Sequence, residues 1–248
     1  MTMAPRGRLI AIASGKGGVG KTWLAITLAH ALARLGCRAL LLDGDLGLAN
    51  VDVQLGLVPE VDLGVFTPDR RLLDLVRPFA AGGFDIVAGR SGSGGLSGVG
   101  PAMLTQLIEQ ARAACAHYQF VLLDLSAGIE PNVRRMAAAA DQLLVITTDE
   151  PTSLTDAYAV LKLHGRDVAA GPASIVVNQC RDDEAGRRTY AALRRACGTF
   201  LGADPPLAGL VHRDERVRDA IRRQLPLLSR YPASTAGQDV ERLARSLL

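Results

Sequence analysis

The sequence predicts a doubly wound α/β fold built on a mainly parallel sheet, and three observations carry that expectation. Apolar runs of strand length alternate with helical patterns from one end of the 248 residues to the other. The runs are continuously apolar rather than alternating with polar residues, which is the mark of strands covered on both faces. A glycine-rich loop joins the first run to the first helical pattern, at the sheet edge where right-handed crossovers place functional loops.

Taken in order, the apolar run Leu9 to Ala13 is a strand and the periodic segment Lys21 to Leu35 a helix. Ala39 to Leu42 is the second strand, followed by a short helix over Arg71 to Val76 and a strand over Phe84 to Ala88. Gly89 to Gly100 is rich in glycine and serine and reads either as a flexible surface loop or as a partner contact. A helix over Ala102 to Ala116 leads to the strand Phe120 to Leu123, and a helix over Asn132 to Ala139 to the strand Leu143 to Thr147. Helices over Ser153 to Leu163, Ala185 to Cys197 and Glu215 to Arg223 enclose strands at Ser174 to Val177 and Leu207 to Val211, and a last helix starts at Gln238. No internal repeat or linker divides the chain, so a single domain over 1–248 is expected.

Composition narrows the function classes. With 48% hydrophobic residues, 4% aromatics and a formal charge of +3 from 28 basic and 25 acidic side chains, the chain is neither disordered, collagen-like nor coiled coil. No apolar run approaches the roughly 18 residues of a membrane span, and Leu9 to Ala13 is too short for a signal-peptide core, so a cytoplasmic location is expected. Cys37, Cys115, Cys180 and Cys197 show no paired short spacing and read as buried small hydrophobes rather than a zinc clip or disulfide framework.

The lysines hold a clue. Of the 28 basic residues only Lys16, Lys21 and Lys162 are lysine, and two of these three stand in Gly15-Lys16-Gly17-Gly18-Val19-Gly20-Lys21-Thr22. Gly15, Gly20, Lys21 and Thr22 satisfy the phosphate-loop pattern G-x-x-x-x-G-K-[ST], after a strand and opening a helix. Backbone N–H groups of such a loop cradle phosphate oxygens, Lys21 reaches the β- and γ-phosphates of a nucleotide, and the Thr22 hydroxyl sits on Mg²⁺. Two further strands deliver carboxylates to the same edge: Asp43 and Asp45 after Leu41-Leu42, and Asp124 after Phe120 to Leu123. A strand-end aspartate is either a helix cap or a holder of Mg²⁺-bound water, and the phosphate loop favours the second.

These residues resemble the MinD/ParA group of ATPases. Lys16 inside Lys-Gly-Gly-Val-Gly-Lys-Thr is similar to that group's deviant Walker A signature, and the Asp43 to Asp52 and Asp124 to Glu130 stretches look like its other two nucleotide motifs. The resemblance covers essentially the whole chain and implies a slow, partner-stimulated, Mg²⁺-dependent ATPase that forms a homodimer around two ATP molecules. It implies that Lys16 reaches the partner subunit's phosphates, that Asp45 orients the attacking water beside Lys21, and that Asp43 and Asp124 support the metal with Thr22. It further implies that Glu150 touches the partner's nucleotide sugar and that Asn178 reads adenine. Within the group, Thr147 to Lys162, Leu46 to Asn50 and Ser126 to Glu130 look most like the FlhG (FleN) branch, which sets flagellar number and placement. A flagellar assembly or regulatory protein is then the expected partner, at a pole or at the membrane through that partner. MinD-like division-site control and ParA-like cargo partition are the alternatives.

The pattern departs from the group in places. Trp23, the only tryptophan, stands where a second threonine is usual, so its α-phosphate contact rests on backbone N–H, with the indole near the nucleotide or under the first helix. Asp149 replaces a common proline, and Val211-His212-Arg213-Asp214 lacks the usual proline near the base. The last helix sets Val240, Leu243, Ala244, Leu247 and Leu248 on one face, which suits core docking more than a membrane surface. By resemblance the chain stops where a membrane anchor would start and lacks the amino-terminal extension that stimulates the GTPase FlhF, so neither direct anchoring nor that stimulation is expected. Residues 181–230 carry a net +4, read as a solvated arginine-rich face or, in a dimer, as a surface for nonspecific DNA.

Overall fold

A computed structural model describes residues 6–45, 49–58, 62–67, 70–89 and 100–248. Eight strands form one sheet in the order β3-β4-β2-β5-β1-β6-β7-β8: β1 (Arg8–Ser14), β2 (Ala39–Gly44), β3 (Arg77–Phe79), β4 (Phe84–Val87), β5 (Phe120–Ala127), β6 (Gln142–Thr147), β7 (Ala173–Cys180) and β8 (Leu207–His212). All neighbours pair in parallel except β3, which runs antiparallel to β4 at the edge.

The helices are α1 (Lys21–Arg34), α2 (Val51–Leu55), α3 (Pro101–Ala114), α4 (Pro131–Ala138), α5 (Pro151–His164), α6 (Asp183–Leu201), α7 (Glu215–Arg222), α8 (Leu227–Arg230) and α9 (Thr235–Ser246). They cover both faces. Leu9, Ala11 and Ala13 of β1 pack into the core beneath α3, α4 and α5, while Ile10 and Ile12 face α1 and α9 on the other side. Two buried faces explain why the strands are apolar without alternation.

α1 is buried along nearly its whole length, from Lys21 to Leu32. It lies against the sheet, and α9 packs beside it and on β8 with Ala236, Val240, Leu243, Ala244 and Leu247 in the same core. The terminal stripe therefore docks on the core. Leu248 is exposed.

Several boundaries move for local reasons. α4 and α5 begin at Pro131 and Pro151, since a proline at the first helical position lacks only an N–H that would be unpaired anyway. α6 starts early because Asp182 caps the N–H of Ala185 at 2.7 Å, and α9 because Ser234 Oγ accepts from Gly237 at 3.2 Å. The helix expected over Arg71 to Val76 is instead a single 3₁₀ turn, Leu72–Leu75, followed by β3. Pro78 accounts for the correction: it disfavours helical geometry in the residue before it and cannot donate to a ladder, so the segment becomes an extended edge strand. The Gly89 to Gly100 loop lies mostly, and Leu46 to Leu48 wholly, outside the described residues.

All four cysteines are buried and free, and burial pushes the Cys115 and Cys180 thiols up to about 11, which keeps them unreactive small hydrophobes. Among the described residues no helix is long and apolar enough to cross a membrane.

Candidate functional site

β1 ends at Ser14 and α1 begins at Lys21, so the loop between them stands at the carboxyl edge of the sheet with a helix N-terminus behind it. Gly18 and Gly20 adopt left-handed conformations with φ of 80° and 89°, and a Cβ on Gly20 would lie 2.5 Å from Asn178 Nδ2. Any side chain there would strain the backbone and collide, so the curvature that turns N–H groups toward an anion depends on glycine.

The two loop lysines diverge. Lys21 is buried and its Nζ is 2.9 Å from Asp124 Oδ1, inside the site. Lys16 lies at the surface, donating to Glu150 and, at 2.9 Å, to Thr152 Oγ1 at the start of α5. The pair expected to act across a subunit boundary is here joined within one chain. Gly15 presses against the same helix, where a Cβ would come within 2.4 Å of the Asp156 backbone.

The carboxylates meet through register. β2 and β5 pair so that Asp43 stands opposite Asp124, and β5 continues to Ala127, which places Asp124 inside the strand rather than beyond its end. Asp43 accepts the backbone N–H groups of Asp45, Asn50 and Val51, each at 3.2 Å, and so ties down the segment after β2. Burial, followed by the charge of Asp124, pushes its carboxyl up to about 7. Burial also raises Asp124, and Lys21 and the Thr22 hydroxyl draw it back. Asp45 Oδ1 accepts from Ser126 Oγ at 2.8 Å, which fixes the proposed water-orienting carboxylate beside Asp124.

Asn178 uses its amide on the protein itself. Nδ2 donates to Val19 O in the phosphate loop at 2.8 Å, and Oδ1 accepts from Gln179 N at 2.9 Å. Gln179 sits at φ 59° where β7 and β8 slip in register. A cleft opens here, lined by Gly18, Gly20, Trp23, Asn178, His212 and Arg213. Trp23 is 6% exposed, which puts its ring both at the cleft and under α1. His212, within the stretch that lacks the usual proline, is held by Asp239 of α9 at 2.8 Å and faces Asp183 at 3.2 Å. Thr152, Ser126 and Asp239 escaped the sequence reading because each acts through a partner far away in the chain. The first two lay inside motif stretches that pointed toward them.

The residues present fit Mg²⁺ and a nucleotide. Asp124 Oδ2 is buried with no hydrogen-bond partner among the described residues, beside the Thr22 hydroxyl and the phosphate-loop curvature. Among those residues no group of three or more His, Cys, Asp or Glu could form a closed metal cage. That suits Mg²⁺, which binds through one or two protein oxygens, waters and substrate phosphates.

Comparison with known proteins gives a consistent result. A family model described as the CobQ/CobB/MinD/ParA nucleotide binding domain matches residues 10–227. The antiactivator FleN of Pseudomonas aeruginosa is 36% identical over 240 residues, covering 97% of this chain and 86% of that protein. The flagellum site-determining protein YlxH of Helicobacter pylori is 26% identical over 97% of this chain and 82% of its own length. The septum site-determining protein MinD of Pyrococcus horikoshii, solved with Mg-ADP, shares the fold with a TM-score of 0.81 at 24% identity, covering 97% of this chain and 96% of that one.

Proposed function

The chain belongs to the CobQ/CobB/MinD/ParA nucleotide-binding family, and from that premise we propose that it is an ATP-dependent dimerising switch that hydrolyses ATP to ADP and phosphate. The observation that carries the reading is the divergence of the loop's two lysines, one buried against Asp124 and the other at the surface. An inward ammonium serves the chain's own phosphates. An outward one, five residues away on a glycine-rich loop, is placed to serve those of a second copy.

The roles that the family resemblance implies are compatible with the geometry. The loop N–H groups bind the phosphates, and Lys21 leaves Asp124 to meet their charge. Thr22 and Asp124 would hold Mg²⁺, with Asp43 bracing the loop behind them. When bound, the metal neutralises charge on the β- and γ-phosphates. Asp45, fixed by Ser126, orients the attacking water, and Lys16 stabilises charge in the transition state from the partner's side. In the dimer Glu150, released from Lys16, would be free to meet the partner's nucleotide sugar. Asn178 holds the loop while its position in the cleft suits the base.

The flagellar reading is supported by YlxH, named a flagellum site-determining protein, and by the resemblance to the branch of the antiactivator FleN; the chain matches each over 97% of its length. We assign the chain to control of flagellar number or position through a flagellar assembly or regulatory partner.

Light scattering tests the switch. Asp45→Ala at saturating ATP should accumulate as dimer, and Lys16→Ala should bind nucleotide yet stay monomeric. A monomeric Asp45→Ala protein would remove the sandwich mechanism. Counting flagella by electron microscopy in cells lacking the chain tests the role, and unchanged number and position would remove it while leaving the ATPase.

A further inference from the structure

The cleft beside the phosphate loop holds two polar atoms that the protein itself leaves unused. Trp23 Nε1 and Asp214 Oδ2 are both buried, and neither has a hydrogen-bond partner among the described residues. Both residues line the cleft. The indole nitrogen can only donate, and the carboxylate oxygen accepts. A buried donor or acceptor left unmet is costly, so a site that keeps one of each is complementary to a ligand that brings the opposite pair.

Local structure fixes both groups. Trp23 stands in the first turn of α1, where a long side chain leans back toward the helix N-terminus and so toward the loop. Asp214 is the N-cap of α7: its Oδ1 accepts the Arg216 N–H at 2.9 Å, which leaves Oδ2 to meet a ligand. The neighbouring polar groups are already engaged, Asn178 with Val19 and Gln179, and His212 between Asp239 and Asp183. With a volume of about 260 Å³ the cleft accommodates part of a nucleotide, and the phosphate loop takes the rest. Polarity decides which base suits the pair. Adenine carries a donor, its 6-amino group, next to an acceptor, N1. Guanine and hypoxanthine carry the reverse, a carbonyl oxygen next to an N–H. A fixed donor and acceptor that match the first edge meet the second donor to donor and acceptor to acceptor.

We propose that Trp23 and Asp214 are the specificity-determining residues of this cleft: Asp214 Oδ2 accepts from the 6-amino group of adenine, and Trp23 Nε1 donates to N1. The inference rests on the nucleotide reading above. It assigns the choice of base to a tryptophan and a helix cap, while the Asn178 amide braces the loop.

Calorimetric titration of the full chain with the Mg²⁺ complexes of ATP, ITP and tripolyphosphate tests it. ITP differs from ATP only at the edge being read, and tripolyphosphate has no base. The parent should bind ATP about 100-fold or more tightly than ITP, because a site built to hydrogen-bond one pattern is left with unmet buried groups by the other. Asp214→Asn keeps the cap oxygen and puts an amine in place of Oδ2, so the preference for ATP should narrow by about ten-fold or more. Trp23→Phe keeps an aromatic ring but removes the N–H, and should weaken ATP by about ten-fold while ITP binds no more weakly. Because Asp214→Asn retains the α7 cap, its result stands even where Trp23→Phe fails to fold. Trp23 is the only tryptophan of the chain, so its emission should shift when ATP binds. Equal binding of ATP and ITP by the parent, a preference unmoved by Asp214→Asn, or an emission unchanged by bound ATP would overturn this inference and leave the switch intact. A parent that binds neither ATP nor tripolyphosphate would overturn both.

Discussion

The burial of Asp43 carries a cost that pH exposes. Its carboxyl rises from 3.8 to about 7, first through burial and then through Asp124 across the strand pair. In the unfolded chain the same group ionises near its ordinary value of about 3.9. Between these values the native state holds a proton that the unfolded state has lost, so stability falls as pH rises. The effect is absent below about pH 4 and complete above about pH 7. At 1.36 kcal/mol per pH unit, the rise from 3.8 to about 7 amounts to about 4 kcal/mol of destabilisation at neutral pH. Asp43→Asn removes the titration. The asparagine keeps one acceptor for Asn50 and Val51 but turns a donor toward the Asp45 N–H, a loss of about 1–2 kcal/mol that does not vary with pH. Urea unfolding without nucleotide or Mg²⁺, at pH about 5 and about 8, should therefore show the stability gap moving by about 3 kcal/mol in favour of Asp43→Asn. Titrating groups remote from Asp43 are common to both proteins and drop out of the gap, whereas Asp124 is eased by the loss of its neighbour's charge and moves the gap in the same direction. Parallel profiles for parent and variant would refute the reasoning.

Three further outcomes follow from the same geometry. Lys21→Met leaves the buried Asp124 carboxylate uncompensated and should destabilise the nucleotide-free chain by about 3 kcal/mol; Lys21→Met with Asp124→Leu should regain most of that in urea unfolding without regaining nucleotide binding by calorimetry. Gly20→Ala forces a Cβ onto a residue at φ 89° and to within 2.5 Å of Asn178 Nδ2, so it should cost about 2 kcal/mol and abolish ATP binding. His30 is held down at about 4 by burial and by Arg34, so its contribution is whole above about pH 6.5 and is lost as pH falls toward 4; His30→Leu should flatten the acid limb of the unfolding profile.

Much of the fold could be read from residues acting locally. The strands announced themselves as continuous apolar runs, and the phosphate loop as glycines and a Lys-Thr pair at fixed spacing. β3 was not legible because three residues around Pro78 carry no period, and α2 and α8 are too short to show one. In the site, Lys21, Thr22, Asp43 and Asp124 were legible because strands and a helix start deliver them. The Lys16–Glu150 pairing and the grip of Asp239 on His212 were not, since each joins segments that only the folded sheet brings together.

α1 is buried between the sheet and its neighbours, with α9 beside it on β8, and that enclosure bears on where a response to ligand can arise. Amides in the middle of a helix so enclosed exchange with solvent only when the whole molecule opens, so the helix that presents the phosphates behaves as an anvil. Movement on nucleotide binding is left to segments that touch the loop from outside, foremost α5. Its first turn is latched to the loop through Thr152 on Lys16, and its second rests on Gly15. Deuterium uptake in the first two turns of α5 should change on addition of ATP while α1 stays silent.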